Sequence, residues 1–158
     1  MQTSIFRNHY QVHEIVSSYR ISTPAKELPQ VQFKSSSDIE DYCRLVWIEY
    51  PDLQIRERML AIYMNRANRV IAWNLISVGG VSGTVVDVKL VMKGAIDVLA
   101  SAIVLVHNHP SGNLRPSDAD AKLTNKIKEA CNVLDMTLLD HLILTEHSYY
   151  SFADNGLM

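Results

Sequence analysis

The chain has 158 residues, 47% of them hydrophobic and 20% charged, with a formal net charge of −2. That is the profile of one ordinary soluble globular domain, long enough to bury a core without covalent staples. The slight acidity gives no global drive towards nucleic acid or anionic membrane, and leaves a local basic face as the one route to either.

Two cysteines, Cys43 and Cys131, form no CxxC pair and no disulfide framework. Both are expected to be reduced, in the core or at its edge. The N-terminus lacks the apolar stretch of a signal peptide, and no apolar run approaches the ~20 residues of a membrane helix. A cytoplasmic protein is therefore expected.

Residues 1–30 read as an N-terminal extension, ragged at first, with a strand expected over Val12–Ile21. A connector with Pro24 and Pro29 follows, and residues 31–158 read as the domain. Ser37 is expected to cap a helix running to Tyr50, in which Ile39, Tyr42, Cys43, Val46 and Trp47 recur at helical spacing. Pro51 and Asp52 end it. "ERMLAIYMN" and "RVIAWNLIS" flank Arg66-Ala67-Asn68 and predict a β-hairpin. "VGGVSG" punctuates the chain, and its glycines are expected to provide turns at the border of a cleft. "TVVDV" predicts a short strand. Lys89–Ala100 predicts a helix with Gly94 as its interior weak point. "AIVLVH" is apolar throughout, as in a strand buried on both faces. Ser117 opens a helix from Asp118 to about Asn132, "TLLDHLILT" is a strand, and "SYYSF" is an edge strand. The expected architecture is α/β: a mixed β-sheet with helices on its faces.

The chemistry gathers in "LVHNHPSGNLRPSDAD". His107 and His109 stand at i and i+2 where a buried strand ends, so both imidazoles project from one face. Asp120 lies in the first turn of the next helix, and a strand–loop–helix turn can return its carboxylate to that face. Two histidines and a carboxylate with one position open make a catalytic zinc set. The same residues also read as a capped helix. Ser117-x-x-Asp120 resembles a capping box, and Asp118 and Asp120 both suit the positive end of the helix. Spacing alone leaves both readings open, and they are compatible.

The run His-x-His-Pro, six residues, Ser, two residues, Asp fits His107, His109, Pro110, Ser117 and Asp120 without a gap. It resembles the JAMM (MPN+) metalloprotease signature. With "LLDHLIL" and "YYSFADNG", the chain from about Val31 onward resembles the RadC family, JAB-domain proteins described as DNA repair proteins. The resemblance implies a JAB/MPN-like fold of the cytidine-deaminase-like three-layer kind. It also implies zinc held by His107, His109 and Asp120, and a glutamate on an earlier strand. Glu40, Glu49 and Glu57 are the candidates. RadC-like sequences carry this residue at the start of the hairpin's first strand, eight residues before the turn, which selects Glu57.

The implied activity is zinc-dependent hydrolysis of a peptide or isopeptide bond by an activated water. Glu57 would be general base and then acid, and Ser117 would donate a hydrogen bond to the oxyanion or the water. The alternative is a DNA-repair or mobile-element-associated factor binding nucleic acid or a protein partner with little or no hydrolase activity. Full-length RadC proteins carry an N-terminal helix-hairpin-helix, a DNA-binding element. Only about 35 residues precede the first helix here, so that element is not expected. Arg56, Arg58, Arg66 and Arg69 are the local basic contact to weigh, against a solvated hairpin. A zinc deaminase is excluded because H-x-E and P-C-x-x-C are missing. Asp140 and His141 read either as a satisfied polar pair at a sheet end or as partners of a metal ligand. His9, His13 and His147 are expected at the surface.

Overall fold

The computed structural model describes residues 31–47, 52–80 and 83–158. Residues 1–30, including the strand expected over Val12–Ile21, lie outside that set. The described elements run α1 (Ser36–Trp47), β1 (Arg58–Met64), β2 (Val70–Val78), α2 (Val88–Asp97), β3 (Ala102–Asn108), α3 (Asp118–Val133), β4 (Thr137–Leu144) and β5 (Tyr149–Ser151).

The five strands make one sheet in the order β2-β1-β3-β4-β5. Every neighbouring pair is antiparallel except β3–β4, which is parallel and bridged by α3. That mixture follows from the connections: a tight turn joins antiparallel strands, whereas a parallel step needs a crossover. β3 is buried at all seven positions, which is why its sequence is a continuous apolar run.

Alternation along the strands divides the core into two layers. Met59, Ala61, Tyr63, Ile103 and Leu105 pack with α2 and α3 on one face. Leu60, Ile62, Val104, Val106 and Leu142 pack with Ile39, Cys43 and Trp47 of α1 on the other. The result is the expected three-layer α/β arrangement. Cys43 and Cys131 are free and buried. Among the described residues, no helix is long and apolar enough to cross a membrane.

Two local expectations change. α1 begins at Ser36, not after a Ser37 cap, because Asp38 accepts from the N–H groups of Lys34 (2.7 Å) and Ser35 (2.9 Å). Residues 48–51, where the helix was expected to continue, lie outside the described set. "TVVDV" forms no strand: Thr84 meets the edge strand β2 through its hydroxyl, 2.8 Å from Ser77 Oγ, and Asp87 caps α2 by accepting from Lys89 N–H at 2.9 Å. Gly94, the weak point of α2, is where the helix meets the buried Tyr63. A Cβ there would come within 2.2 Å of the Tyr63 hydroxyl oxygen.

Candidate metal centre

His107 is the penultimate residue of β3 and His109 follows the strand by one residue. Both face the layer that holds α3. His109 N–H donates to Leu144 O at 2.8 Å, which extends the β3–β4 pairing past the strand end. The loop then returns to α3, whose N-cap is Ser117. Ser117 Oγ accepts from Asp120 N–H at 3.1 Å, and Asp120 Oδ2 accepts from Ser117 N–H at 2.7 Å, which closes the expected capping box.

The capping box and the histidine pair turn out to share Asp120. His107 Nε2 lies 3.3 Å from Asp120 Oδ1, His109 Nε2 lies 3.9 Å from Oδ2, and the two Nε2 atoms are 2.9 Å apart. All three donor atoms fall within 4.8 Å of one another. Ligands about 2.0–2.1 Å from a tetrahedral zinc stand roughly 3.3 Å from each other, so the spacing suits such an ion.

Protonation supports the same reading. His109 Nδ1 meets the carbonyl of Asn113 at 2.6 Å, and a carbonyl only accepts, so the proton of a neutral His109 sits on Nδ1. Its Nε2 then offers a bare lone pair to the point faced by His107 Nε2 and the Asp120 carboxylate. A cation satisfies three such donors together. Burial holds the His107 pKa down to about 4, against the pull of the Asp120 carboxylate, so this imidazole is neutral at pH 7, the form that binds metal.

Glu57 lies one residue before β1 and is half-buried. The β1–β3 pairing ends with Met59 opposite His107, two residues after Glu57, and Arg58 N–H donates to the Asn108 side chain. Gly79 N–H donates to the Glu57 carbonyl at 2.8 Å, and a Cβ on Gly83 would stand 3.8 Å from Glu57 Oε2. Gly79 and Gly83 therefore border Glu57. Glu57 is outside the donor group. Of the other candidates, Glu40 pairs with Arg44 at 2.6 Å on α1, and Glu49 lies outside the described residues. The Ser117 hydroxyl donates to Asp120 Oδ2 at 2.6 Å.

Asn108, between the two histidines, points to the opposite face. Its Oδ1 accepts from Arg58 N–H at 2.8 Å, and its Nδ2 donates to Leu53 O at 2.5 Å and Arg56 O at 2.8 Å. It thereby pins the segment that carries Glu57. Sequence reasoning missed this role; the one available signal was a polar residue inside an otherwise apolar strand end. His141 bonds His107, while Asp140 accepts from Ser151 Oγ (2.6 Å) and the N–H groups of His141 (2.7 Å) and Ala153 (3.0 Å). The two readings of the Asp-His pair thus divide between its members. His147 is exposed; His9 and His13 lie outside the described residues.

A cleft of about 800 Å³ opens beside His109, walled by Trp47, Leu53, Pro110, Leu114 and Leu144, with Arg44 at its side. The hairpin arginines do not form one patch. Arg58 is held by Asp52 at 2.6 Å, and Arg66 and Arg69 sit at the far end of the seven-residue strand β1.

A family model described as the RadC-like JAB domain matches residues 33–157. A UPF0758 protein of Flavobacterium johnsoniae is 48% identical over 101 residues, covering 64% of this chain and 44% of that protein. One from Porphyromonas gingivalis is 40% identical over 136 residues, covering 85% and 59%. One from Aquifex aeolicus is 37% identical over 103 residues, covering 65% and 45%. The chain thus spans about half the length of the curated relatives it matches. The family match runs from just before α1 through the last strand and takes in every member of the His-His-Asp group, so this chain belongs to the RadC-like JAB domain family.

Proposed function

We propose that the protein is a zinc-dependent hydrolase that cleaves a peptide or isopeptide bond. The observation that carries this is the convergence of His107 Nε2, His109 Nε2 and the Asp120 carboxylate on one point. A zinc ion held by these three side chains would supply Lewis acidity and bring the pKa of water down towards ~7. Glu57 is the general base and then the acid: its carboxylate takes the proton of the attacking water and returns it to the leaving amine. Ser117 orients Asp120 through its hydroxyl, which gives its one proton to Oδ2; donation to the oxyanion would require that bond to open.

The test is to purify the protein without chelator, measure its metal, and incubate it with peptide and isopeptide-linked libraries read by mass spectrometry. About one zinc per chain and cleavage that disappears in Glu57→Gln are expected. A zinc-loaded protein that cleaves no member of either library would overturn the hydrolase reading.

A further inference from the structure

The ligand His107 does not stand alone behind its metal-facing edge. Its Nδ1 lies 2.9 Å from His141 Nε2, His141 Nδ1 lies 2.7 Å from Thr124 Oγ1, and Thr124 Oγ1 lies 2.7 Å from the Asp120 carbonyl oxygen. The chain of contacts begins on β3, crosses to β4, and ends on α3 at the residue that bears the third donor. All three side chains are closed to solvent, with relative exposures of 1% for His107, 0% for His141 and 1% for Thr124. Phe152 stacks on His141 at 4.8 Å and 17°, which fixes the ring plane.

Proton counting gives this chain one direction. The Thr124 hydroxyl has a single proton, and the Asp120 carbonyl only accepts, so the proton goes there. Thr124 Oγ1 can then only accept from His141, which places the His141 proton on Nδ1. Its Nε2 is left as an acceptor, so the proton between the two histidines belongs to His107 Nδ1. That leaves His107 Nε2 bare towards His109 and Asp120.

We propose that His141 and Thr124 are positioning residues of the metal centre: a buried hydrogen-bond relay anchored on the Asp120 carbonyl that locks His107 in its Nδ1–H form with Nε2 free to coordinate. The inference rests on the reading of His107 as a metal ligand. The relay also explains the position of the β-bulge between β3 and β4. Ile103 pairs with Leu138 and Val104 with Asp140, so Leu139 is the extra residue. Without it, Asp140 would take the register position opposite Leu105 that His141 now holds, and a one-residue slip moves a side chain to the other face of the sheet.

The experiment uses the full chain and two readouts that need no turnover. Long-range proton–nitrogen NMR of histidine-labelled, metal-free protein reports which ring nitrogen is protonated. Competition with a chromophoric chelator reports zinc affinity. The wild type should show His107 and His141 both protonated on Nδ1. Thr124→Val and His141→Leu should weaken zinc binding by about 10–100-fold, the usual effect of losing such a partner. Thr124→Ser and His141→Gln, which restore a hydroxyl and an acceptor oxygen, should recover affinity to within about threefold of wild type. Should His141→Leu fail to fold, Thr124→Val, which keeps the side-chain shape, carries the comparison. His107 protonated on Nε2 in the wild type would overturn the relay, as would wild-type zinc affinity in a folded Thr124→Val protein. A zinc-loaded wild type that cleaves nothing would remove the hydrolase reading and leave this one standing.

Discussion

Ser117→Ala separates the two roles that converge on Asp120. The hydroxyl accepts from Asp120 N–H at 3.1 Å and donates to Asp120 Oδ2 at 2.6 Å. Removing it uncaps α3, a change that costs about 1 kcal/mol, and the exposure of Ser117 lets water meet the freed N–H and keeps the loss near that figure. For a chain of this size the metal-free protein should melt about 2–4 °C lower. The Asp120 carboxylate keeps the Ser117 backbone N–H at 2.7 Å, so it stays oriented, and zinc affinity should fall by about tenfold, the lower end for losing an outer partner. Ser117→Gly is the control. Glycine costs only a few tenths of a kcal/mol at an N-cap, so it should restore most of the melting temperature and none of the zinc affinity. The assays are thermal unfolding of metal-free protein and chelator competition. A metal-free Ser117→Ala protein that melts within about one degree of wild type would refute the capping argument.

His109→Ala removes one of three donors and should lower bound zinc from about one per chain to none after dialysis, measured by elemental analysis. Asn108→Ala leaves Arg58 N–H and the Leu53 and Arg56 carbonyls without their buried partner, so it should cost roughly 2–4 kcal/mol in denaturant titration, and any hydrolysis should fall more than zinc content does. Gly94→Ala would ordinarily gain about 1 kcal/mol in helix propensity, yet its Cβ meets Tyr63, whose hydroxyl donates to Val91 O at 3.1 Å. The overlap should reverse the sign and destabilise the protein by about 1–3 kcal/mol, read from the shift in denaturation midpoint.

The metal-free protein should also lose stability in acid through its buried histidines. His107 is held down to about 4 and His141 well below 6.5, chiefly by desolvation, so the unfolded chain takes up protons first as pH falls. Stability is full above pH 6.5 and declines from there to about pH 4. For His107 alone, at about 1.4 kcal/mol per pH unit, the loss amounts to roughly 3 kcal/mol. Urea melts at pH 7 and pH 5 capture about 2 kcal/mol of it, and equal midpoints would contradict it.

The sequence determined much of this protein because its strongest signals are local. Alternation and continuous apolar runs placed β1, β2, β3 and β4, and helical spacing placed α3 to within a residue or two. The i, i+2 histidines were readable as one face because side-chain period in a strand is fixed by backbone geometry. Ser117 and Asp120 were readable as a cap because a capping box closes within four residues. "TVVDV" was misread for the complementary reason: β-branched residues favour a strand only where ladder pairing forms, whereas Thr84 reaches Ser77 of β2 through its side chain and Asp87 caps α2.

What only the tertiary structure decided depends on residues distant in the chain. Glu57 stands two residues before Met59, the partner of His107 in the antiparallel β1–β3 register, and Asn108 fastens that segment. Which member of Asp140-His141 reaches His107 depends on one bulged residue, Leu139, since side-chain direction reverses with every position along a strand. Thr124 carried no signal as a threonine inside a helix, and gained its role when α3 packed over β4 and brought it to His141. Sequence could supply the ligand types and their spacing; the long-range pairing of strands and the packing of α3 supplied the partners that hold them, because those contacts join residues that no local period relates.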